Sequence, residues 1–445
     1  MIPIECWDIT IHTTFIKDRV EHMNIKHRGS LGLLLAAGLI PAQVLAGGYK
    51  IPENSINSTA LSAAYVANAH GADAAYFNPA AMVFNEDGGS FEIDATYIHL
   101  SAIQYSDNQG VFADDASDVE RFLVPSFHYV SPKMGKTRFG LSVVAPAGLT
   151  KRWDGTGKAS SQQFTLKTLE INPSVAYQIS DKFSAAVGAR MVYTDGKVKS
   201  KTYAFGPEIA RDLEGDSYDF GYNLALHFKP TDQLALALTY RSKIDLTVEG
   251  EANIVHPVGP YNGDAEVTVP IPAALNLAAA YTFNDRTTVE LVFERTYWSA
   301  YKELDFDYDT TLSTVDLDGP GPFPSSYAAF DASRARDWRD SNTFRIGVTH
   351  KMDDKWTLMA GYAYDKTPVP ESTVAFELPD SDAQIFSVGA RYQYSDKLNI
   401  GFGLLYDKKD SLKITRGNDP FDSVDNSEFE DASAVLLTVG AQYTF

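Results

Sequence analysis

Cysteine is almost absent: among 445 residues there is one, Cys6, so neither a disulfide framework nor a thiolate metal site can organise the fold. Long apolar runs are missing too, and nothing approaches the roughly 18 consecutive apolar residues that a membrane helix needs. Yet 44% of the residues are hydrophobic while the mean hydropathy is −0.20, so the apolar residues must be dispersed among polar ones. Positive charge is scarce: 38 Lys and Arg face 58 Asp and Glu, a net −20. That balance argues against nucleic acid as a partner and suits solvated loops facing a polyanionic exterior bridged by divalent cations. No phosphate loop, zinc motif or nucleophile elbow occurs, so no catalytic residue, metal or cofactor is expected. Asp305, Asp307 and Asp309 imitate the start of a calcium loop, but Thr310 and Asp316 stand where that loop requires Gly and Glu.

The N-terminal region reads as an export signal. Met23 to Arg28 is basic, Leu31 to Ile40 is a short apolar core, and Val44-Leu45-Ala46 offers a small-residue cleavage site before Gly47-Gly48. Glu5, Asp8, Asp18 and Glu21 do not belong in such a signal. The expectation is that translation starts at Met23, with 1–22 an upstream misassignment and 23–46 the signal peptide; N-terminal sequencing of the precursor checks it. Residues 1–46 carry four basic and four acidic side chains, so the remainder holds 34 against 54 and stays at −20.

From Phe91 onward the apolar pattern has a period of two, the signature of strands. In 217–229 the residues Tyr218, Phe220, Tyr222, Leu224, Leu226 and Phe228 share one face, with Asp219, Asn223 and His227 on the other. The last strand places Val435, Leu437, Val439, Tyr443 and Phe445 together. A soluble sandwich with one wet face would alternate likewise, but the connections are asymmetric. Six short polar turns (131–137, 180–182, 230–233, 284–286, 353–355, 395–397) alternate with seven long stretches read as loops (106–121, 151–164, 201–216, 249–264, 306–338, 367–383, 413–431). This predicts fourteen strands: an all-β, antiparallel transmembrane barrel of the bacterial outer membrane, with both termini on the short-turn, periplasmic side. The C-terminal strand ending at Phe445 is the expected handle for the barrel-assembly machinery, with outer-membrane lipid and lipopolysaccharide as surroundings and a monomer as the assembly.

Two segments depart from the pattern. Residues 47–88 are rich in small side chains, are able to form a short helix or two, and reach a turn at Asn78-Pro79-Ala80. The third strand contains Pro146 and Gly148; Pro cannot donate to a ladder and Gly packs nothing. Freed backbone groups at membrane depth are tolerated only where protein or water meets them. Either this is a bulge near the outer rim or the wall has a hole there, backed by the segment around Asn78. The interior cations Arg190, Arg241, Lys243, Arg345 and Arg391 read as partners in charge ladders with acids such as Glu170, Asp219 and Glu290.

These segments carry a resemblance. Asn78-Pro79-Ala80, Pro146-Ala147-Gly148-Leu149, 237–242, Trp338-Arg339-Asp340, Pro368-Val369-Pro370-Glu371 and the ending 441–445 stand in the order and spacing of the FadL-type outer-membrane transporters of long-chain fatty acids and related hydrophobic compounds. The resemblance implies a fourteen-strand barrel over 89–445, plugged by a partly helical hatch at 47–88, with the third-strand kink at Pro146 and Gly148 as a lateral exit. It implies that Arg339 meets a substrate carboxylate, with a second cation near Lys199 and Lys201, where Ser200 is the best-aligned residue. It also makes 201–216 and 249–264 the first capture groove, using Phe205, Ile209, Leu213, Ile254 and Val258. The expected function is passive uptake of hydrophobic molecules, long-chain fatty acids first and aromatic or alkane hydrocarbons as the alternative. A lipid-modifying outer-membrane enzyme and an open diffusion pore are the other classes, and a lumen hatch speaks against both.

Overall fold

The computed structural model describes residues 47–203, 208–255, 260–309, 330, 332–417 and 422–445. The expectations for 1–46, and those for Phe205 and Val258, lie outside them. Fourteen strands form the wall: β1 Ser90–Leu100, β2 Glu120–Val130, β3 Thr137–Val144 with Gly148–Arg152, β4 Gln163–Ser180, β5 Phe183–Tyr203, β6 Glu208–Phe228, β7 Leu234–Arg241 with Ile244–Val255, β8 Tyr261–Ile271 with Ala274–Phe283, β9 Thr287–Thr296, β10 Ser341–Lys351, β11 Trp356–Asp365, β12 Ala383–Gln393, β13 Leu398–Lys409 and β14 Ser433–Thr444. Each pairs antiparallel with its neighbours, and β14 pairs with β1 from Thr444↔Ser90 to Ala434↔Leu100, which closes the barrel. Closure removes the edge that an open sheet would expose to lipid. All six expected short turns join consecutive strands.

The outward face explains the alternation. Tyr218, Phe220, Tyr222, Leu224, Leu226 and Phe228 of β6 point out, as do Leu236 of β7 and Leu437 and Val439 of β14. Further up the same face of β6 the outward residues become Asp212, Glu214 and Asp216. A crossing takes about 9–11 residues, whereas β5 and β6 each have 21, so roughly half of that hairpin stands beyond the apolar band.

This overturns one expectation. Residues 201–216 and 249–264 are not loops over most of their length but the ends of two β-hairpin arms, and β6 continues to pair with β7 through Asp216↔Glu249 and Arg211↔Ile254. Opposite charges hold the first arm together in rungs on its outer face, where Lys199 lies 2.6 Å from Asp212 and Lys201 lies 2.6 Å from Glu208. Lys197 pairs with Glu214 in the same row.

The hatch fills the lumen. Helix α1 (Ile56–Ala60) is capped by Ser55, whose side chain accepts from Ser58 N while Ser58 returns the bond; this reciprocal cap satisfies donors that a short buried helix would otherwise orphan. It ends where Ser62 and Ala63 take positive φ. Helix α2 (Ala74–Phe77) and a 3-10 turn (Pro79–Phe84) follow.

Two anchors tie these pieces to the wall. Arg391 of β12 donates to Asn57 Oδ1 at 2.7 Å and to Glu92 of β1 at 2.6 Å, and Asn57 in turn donates to Asp73 at 2.9 Å. Glu290 of β9 accepts from the backbone N–H of Val66, Ala67 and Asn68 at 2.7, 2.5 and 3.1 Å. Replacing Glu290 with Ala strands two buried donors and a half-buried one and is expected to cost about 2–4 kcal/mol. Hatch residues near Val66 should then become accessible to protease while the barrel stays folded; unchanged proteolysis would contradict the anchor.

The interior cations largely follow the expected ladder. Arg190 and Arg241 share Glu170, and Arg345 lies 3.7 Å from Glu294. Lys243 differs: the break in β7 at Ser242-Lys243 reverses the facing of the strand, and Lys243 pairs with Asp245 at 2.7 Å on the exposed side. Glu290 serves the hatch rather than a cation.

Candidate functional site

Three spaces adjoin along the inside of β3–β8. The outermost is a groove of about 510 Å³, counting space open to solvent, lined by Phe164, Leu166, Val198, Leu213, Val248, Val267, Val269, Leu304 and Phe306. Val198, Leu213, Val248, Val267 and Val269 are inward residues of the two hairpin arms, Phe164 and Leu166 come from β4, and Leu304 and Phe306 from the stretch after β9; above the membrane level, where a water-filled barrel would be polar, these side chains are apolar. The second is a chamber of about 380 Å³, counting space open to solvent, that shares Phe164, Leu166 and Val269 with the groove, so the two are neighbours.

Aromatic rings shape the chamber. Tyr49 meets Trp298 with centroids 4.8 Å apart, Trp298 meets Trp338 at 4.9 Å, and Trp338 meets Tyr301 at 5.0 Å, all inclined or edge-to-face as ring quadrupoles favour. Gly48 allows the hatch to enter here: its φ is +79°, and a Cβ would lie 2.6 Å from the Trp298 ring. Burial raises the phenol pKa of Tyr49 and of Tyr301, so both remain neutral hydroxyls in the apolar surroundings. The one charged pair in the lining is Arg336 with Glu377. Burial pulls the guanidinium pKa down, but the Glu377 carboxylate and the Tyr301 hydroxyl outweigh that and raise it.

The third space is a gap in the wall. The lower part of β3 pairs with β2 only from Val130↔Gly140 to Phe127↔Val143. Above that, residues 120–126 of β2 have no β3 ladder, although they pair fully with β1. The cause lies in the register with β4: between Val144↔Glu170 and Gly148↔Lys167, β3 places three residues opposite two. That extra residue swings the upper piece of β3 away from β2. Pro125 sits on the β2 margin of the gap, where a residue with no N–H is tolerated. The top closes through Asp118 N donating to Arg152 O at 2.9 Å and Arg152 gripping Glu120 with two bonds of 2.8 Å.

The hatch mends the freed backbone. Ile51 N donates to Pro146 O at 3.0 Å, Gly148 N donates to Tyr49 O at 2.8 Å, and Lys50 bridges Ala147. Lys50 is itself fixed by Glu294 of β9. Residues Tyr49–Ile51 thus act as a short extra strand between the aromatic chamber and the gap.

The residues singled out from the sequence are distributed as follows. Pro146 and Gly148 are at the kink. Asn78, Pro79 and Ala80 are buried in the hatch but lie lower: Asn78 donates to Val66 O at 2.9 Å and faces His227 Nδ1 at 3.1 Å, and Ala80 O accepts from Ser184 Oγ at 2.6 Å. The expected backing of the kink by Asn78 is therefore replaced by Tyr49–Ile51. Arg339 is exposed, whereas Arg336, three residues earlier, lines the chamber. Lys199 and Lys201 are outside, in the charge rungs of the arm, and are not brought together with Arg339. No group of metal-binding side chains occurs among the described residues, and the sequence carries no catalytic motif that these spaces would serve.

The sequence model of the family described as outer membrane protein transport protein (OMPP1/FadL/TodX) matches residues 37–445. The long-chain fatty acid transport protein of Escherichia coli O6:H1 is 24% identical over 334 residues, covering 66% of this chain and 71% of that one. Outer membrane protein P1 of Haemophilus influenzae is 22% identical over 321 residues, covering 64% and 65%. Among solved structures, a FadL homologue of Pseudomonas aeruginosa superposes with a TM-score of 0.75 at 21% identity, over 90% of this chain and 100% of that one. The toluene transporter TodX of Pseudomonas putida gives 0.67 at 18% identity, over 88% and 98%. With a family match spanning nearly the whole chain and a plugged fourteen-strand barrel beneath it, this protein belongs to the FadL/TodX family of outer-membrane transport proteins.

Proposed function

We propose that this protein takes up long-chain fatty acids passively: it captures them in the groove between the hairpin arms, passes them into the aromatic chamber, and releases them sideways into the membrane through the gap between β2 and β3. The observation that carries the reading is the missing β2–β3 ladder beside a chamber whose floor, Tyr49, belongs to the hatch strand that covers the kink. The route is lined mainly by apolar side chains, with Arg336 and Glu377 paired to each other, which suits a molecule that is transferred to lipid rather than to water. The C-terminal residue Phe445, bonded to Gly89 beside the short turns, would then face the periplasm, while the hatch enters from Gly47 within the barrel. Fatty-acid transport is what the names of the Escherichia coli relatives state of those proteins.

A second substrate reading has its own support. The chamber is lined by the rings of Tyr49, Phe164, Tyr301 and Trp338, with Trp298 packed behind Tyr49 and Trp338, and its cation is already neutralised by Glu377. Such a site suits a neutral aromatic hydrocarbon, the class named for the Pseudomonas putida structure. Mass spectrometry of ligands that co-purify with the detergent-extracted protein decides: fatty acids support the first reading, uncharged aromatics the second. In planar bilayers the plugged barrel should give no large steady ion current. A porin-like conductance would overturn both.

A further inference from the structure

Among the described residues three buried cations make no ion pair: Arg138 is taken up by backbone carbonyls and Lys151 donates to Ser117, which leaves Arg211. Arg211 lies on the inward face of β6 and is 6% exposed. Its guanidinium is held between two rings, 4.6 Å from the Phe306 centroid and 5.1 Å from that of Phe330. The Tyr308 phenol is its hydrogen-bonding companion. Among the described residues no carboxylate is within ion-pair reach of Arg211, and its Nε has no partner. Directly across the β5–β6 ladder is Ser200, 1% exposed, whose Oγ also lacks a partner. Two buried polar groups with an unpartnered atom each are therefore cross-strand neighbours on the inward face. Leu213, two residues along the same face of β6, and Phe306 itself both line the outer groove.

A buried charge is normally paired, because an uncompensated one is costly. The buried cation of the adjoining chamber obeys that rule, Arg336 pairing with Glu377. We propose that Arg211 and Ser200 bind the carboxylate of a long-chain acid at the outer end of the groove, with its hydrocarbon chain lying along Leu213 and Phe306. An oxyanion takes an N–H from Arg211 and the O–H of Ser200 together; a neutral hydrocarbon leaves both unpaired, and a cationic amphiphile is repelled. Selection for an acid would then occur at capture, before the chamber, whose own cation is occupied. This deepens the uptake reading above and rests on it.

The test compares dodecanoate with dodecanol, which share a tail and differ in the head, binding to the full chain in lipid nanodiscs at neutral pH. The wild type should prefer the acid. Arg211→Gln should weaken dodecanoate at least about tenfold, the worth of one charge-assisted hydrogen bond, and leave dodecanol unchanged. Arg211→Lys should retain part of the preference. If Arg211→Gln does not fold, Ser200→Val supplies the same contrast at smaller amplitude. Acid affinity unaffected by both substitutions, or acid and alcohol weakened equally, overturns this site while the uptake route stands. A wild type that binds neither molecule overturns the uptake reading and this site with it.

Discussion

Deleting Pro146 is expected to abolish uptake without unfolding the barrel. The gap exists because β3 spends three residues where β4 spends two, between Val144↔Glu170 and Gly148↔Lys167. Removing one residue brings the upper piece of β3 into register with the lower piece, and a continuous strand can extend its ladder along residues 120–126 of β2. The variant also regains a backbone N–H where the proline offered none. Fatty-acid uptake by cells that depend on this protein should fall to the rate seen without it, while heat-modifiable mobility on gels reports an intact barrel. Uptake that persists once hydrogen exchange shows the β2–β3 ladder restored would mean the gap is not the route.

The largest expected loss of stability comes from Arg391. Its side chain meets Glu92 in the wall and Asn57 in the hatch, all three buried. Arg391→Met leaves the Glu92 carboxylate buried without its partner, a change that costs about 3–5 kcal/mol. It also cuts the tie between β12 and α1, so the hatch should loosen first. The expected readings are a lower urea midpoint in detergent and bursts of ion current in bilayers. Replacing Glu92 with Met as well removes the stranded charge, and the double variant should recover much of the midpoint. A double variant as unstable as the single one would show that packing, not charge, dominates there.

Much of the wall was legible in the sequence because its determinants are local. Turn residues and two-residue alternation mark fourteen strands one at a time, and Pro146 with Gly148 announces the break in β3 unaided. The arms were misread as loops for an equally physical reason. Outside the membrane the outward face no longer needs to be apolar, so hydrophobic alternation stops while the strand continues. The period survives in charge instead: Lys197, Lys199 and Lys201 are spaced by two, and so are Asp212, Glu214 and Asp216. That pattern was the available signal for the arms, and it reassigns Lys199 and Lys201 to an exposed ladder.

The candidate site was less legible because it is made of long-range partners. Nothing near residue 50 says that Tyr49–Ile51 will pair with Pro146 and Gly148, about a hundred residues away. Arg336 and Arg339 differ by three positions in a stretch dense with charge, 334–340, where Asp337 takes a positive φ. Only the path of the chain through that turn sends Arg336 into the chamber and leaves Arg339 exposed. Arg211 carries no local mark at all; its lack of a counter-ion emerges only when the faces of β5 and β6 are set against each other.

The pairing of the hatch with the kink also bears on how the molecule is built. Pro146 O and Gly148 N find their partners on Tyr49–Ile51 rather than on β2, so the wall and its plug share one set of hydrogen bonds. A barrel that closed around an empty lumen would present those groups, unpaired, to lipid. Seating the plug and settling the third strand are therefore energetically one event: loosening Tyr49–Ile51 should loosen the upper piece of β3 with it.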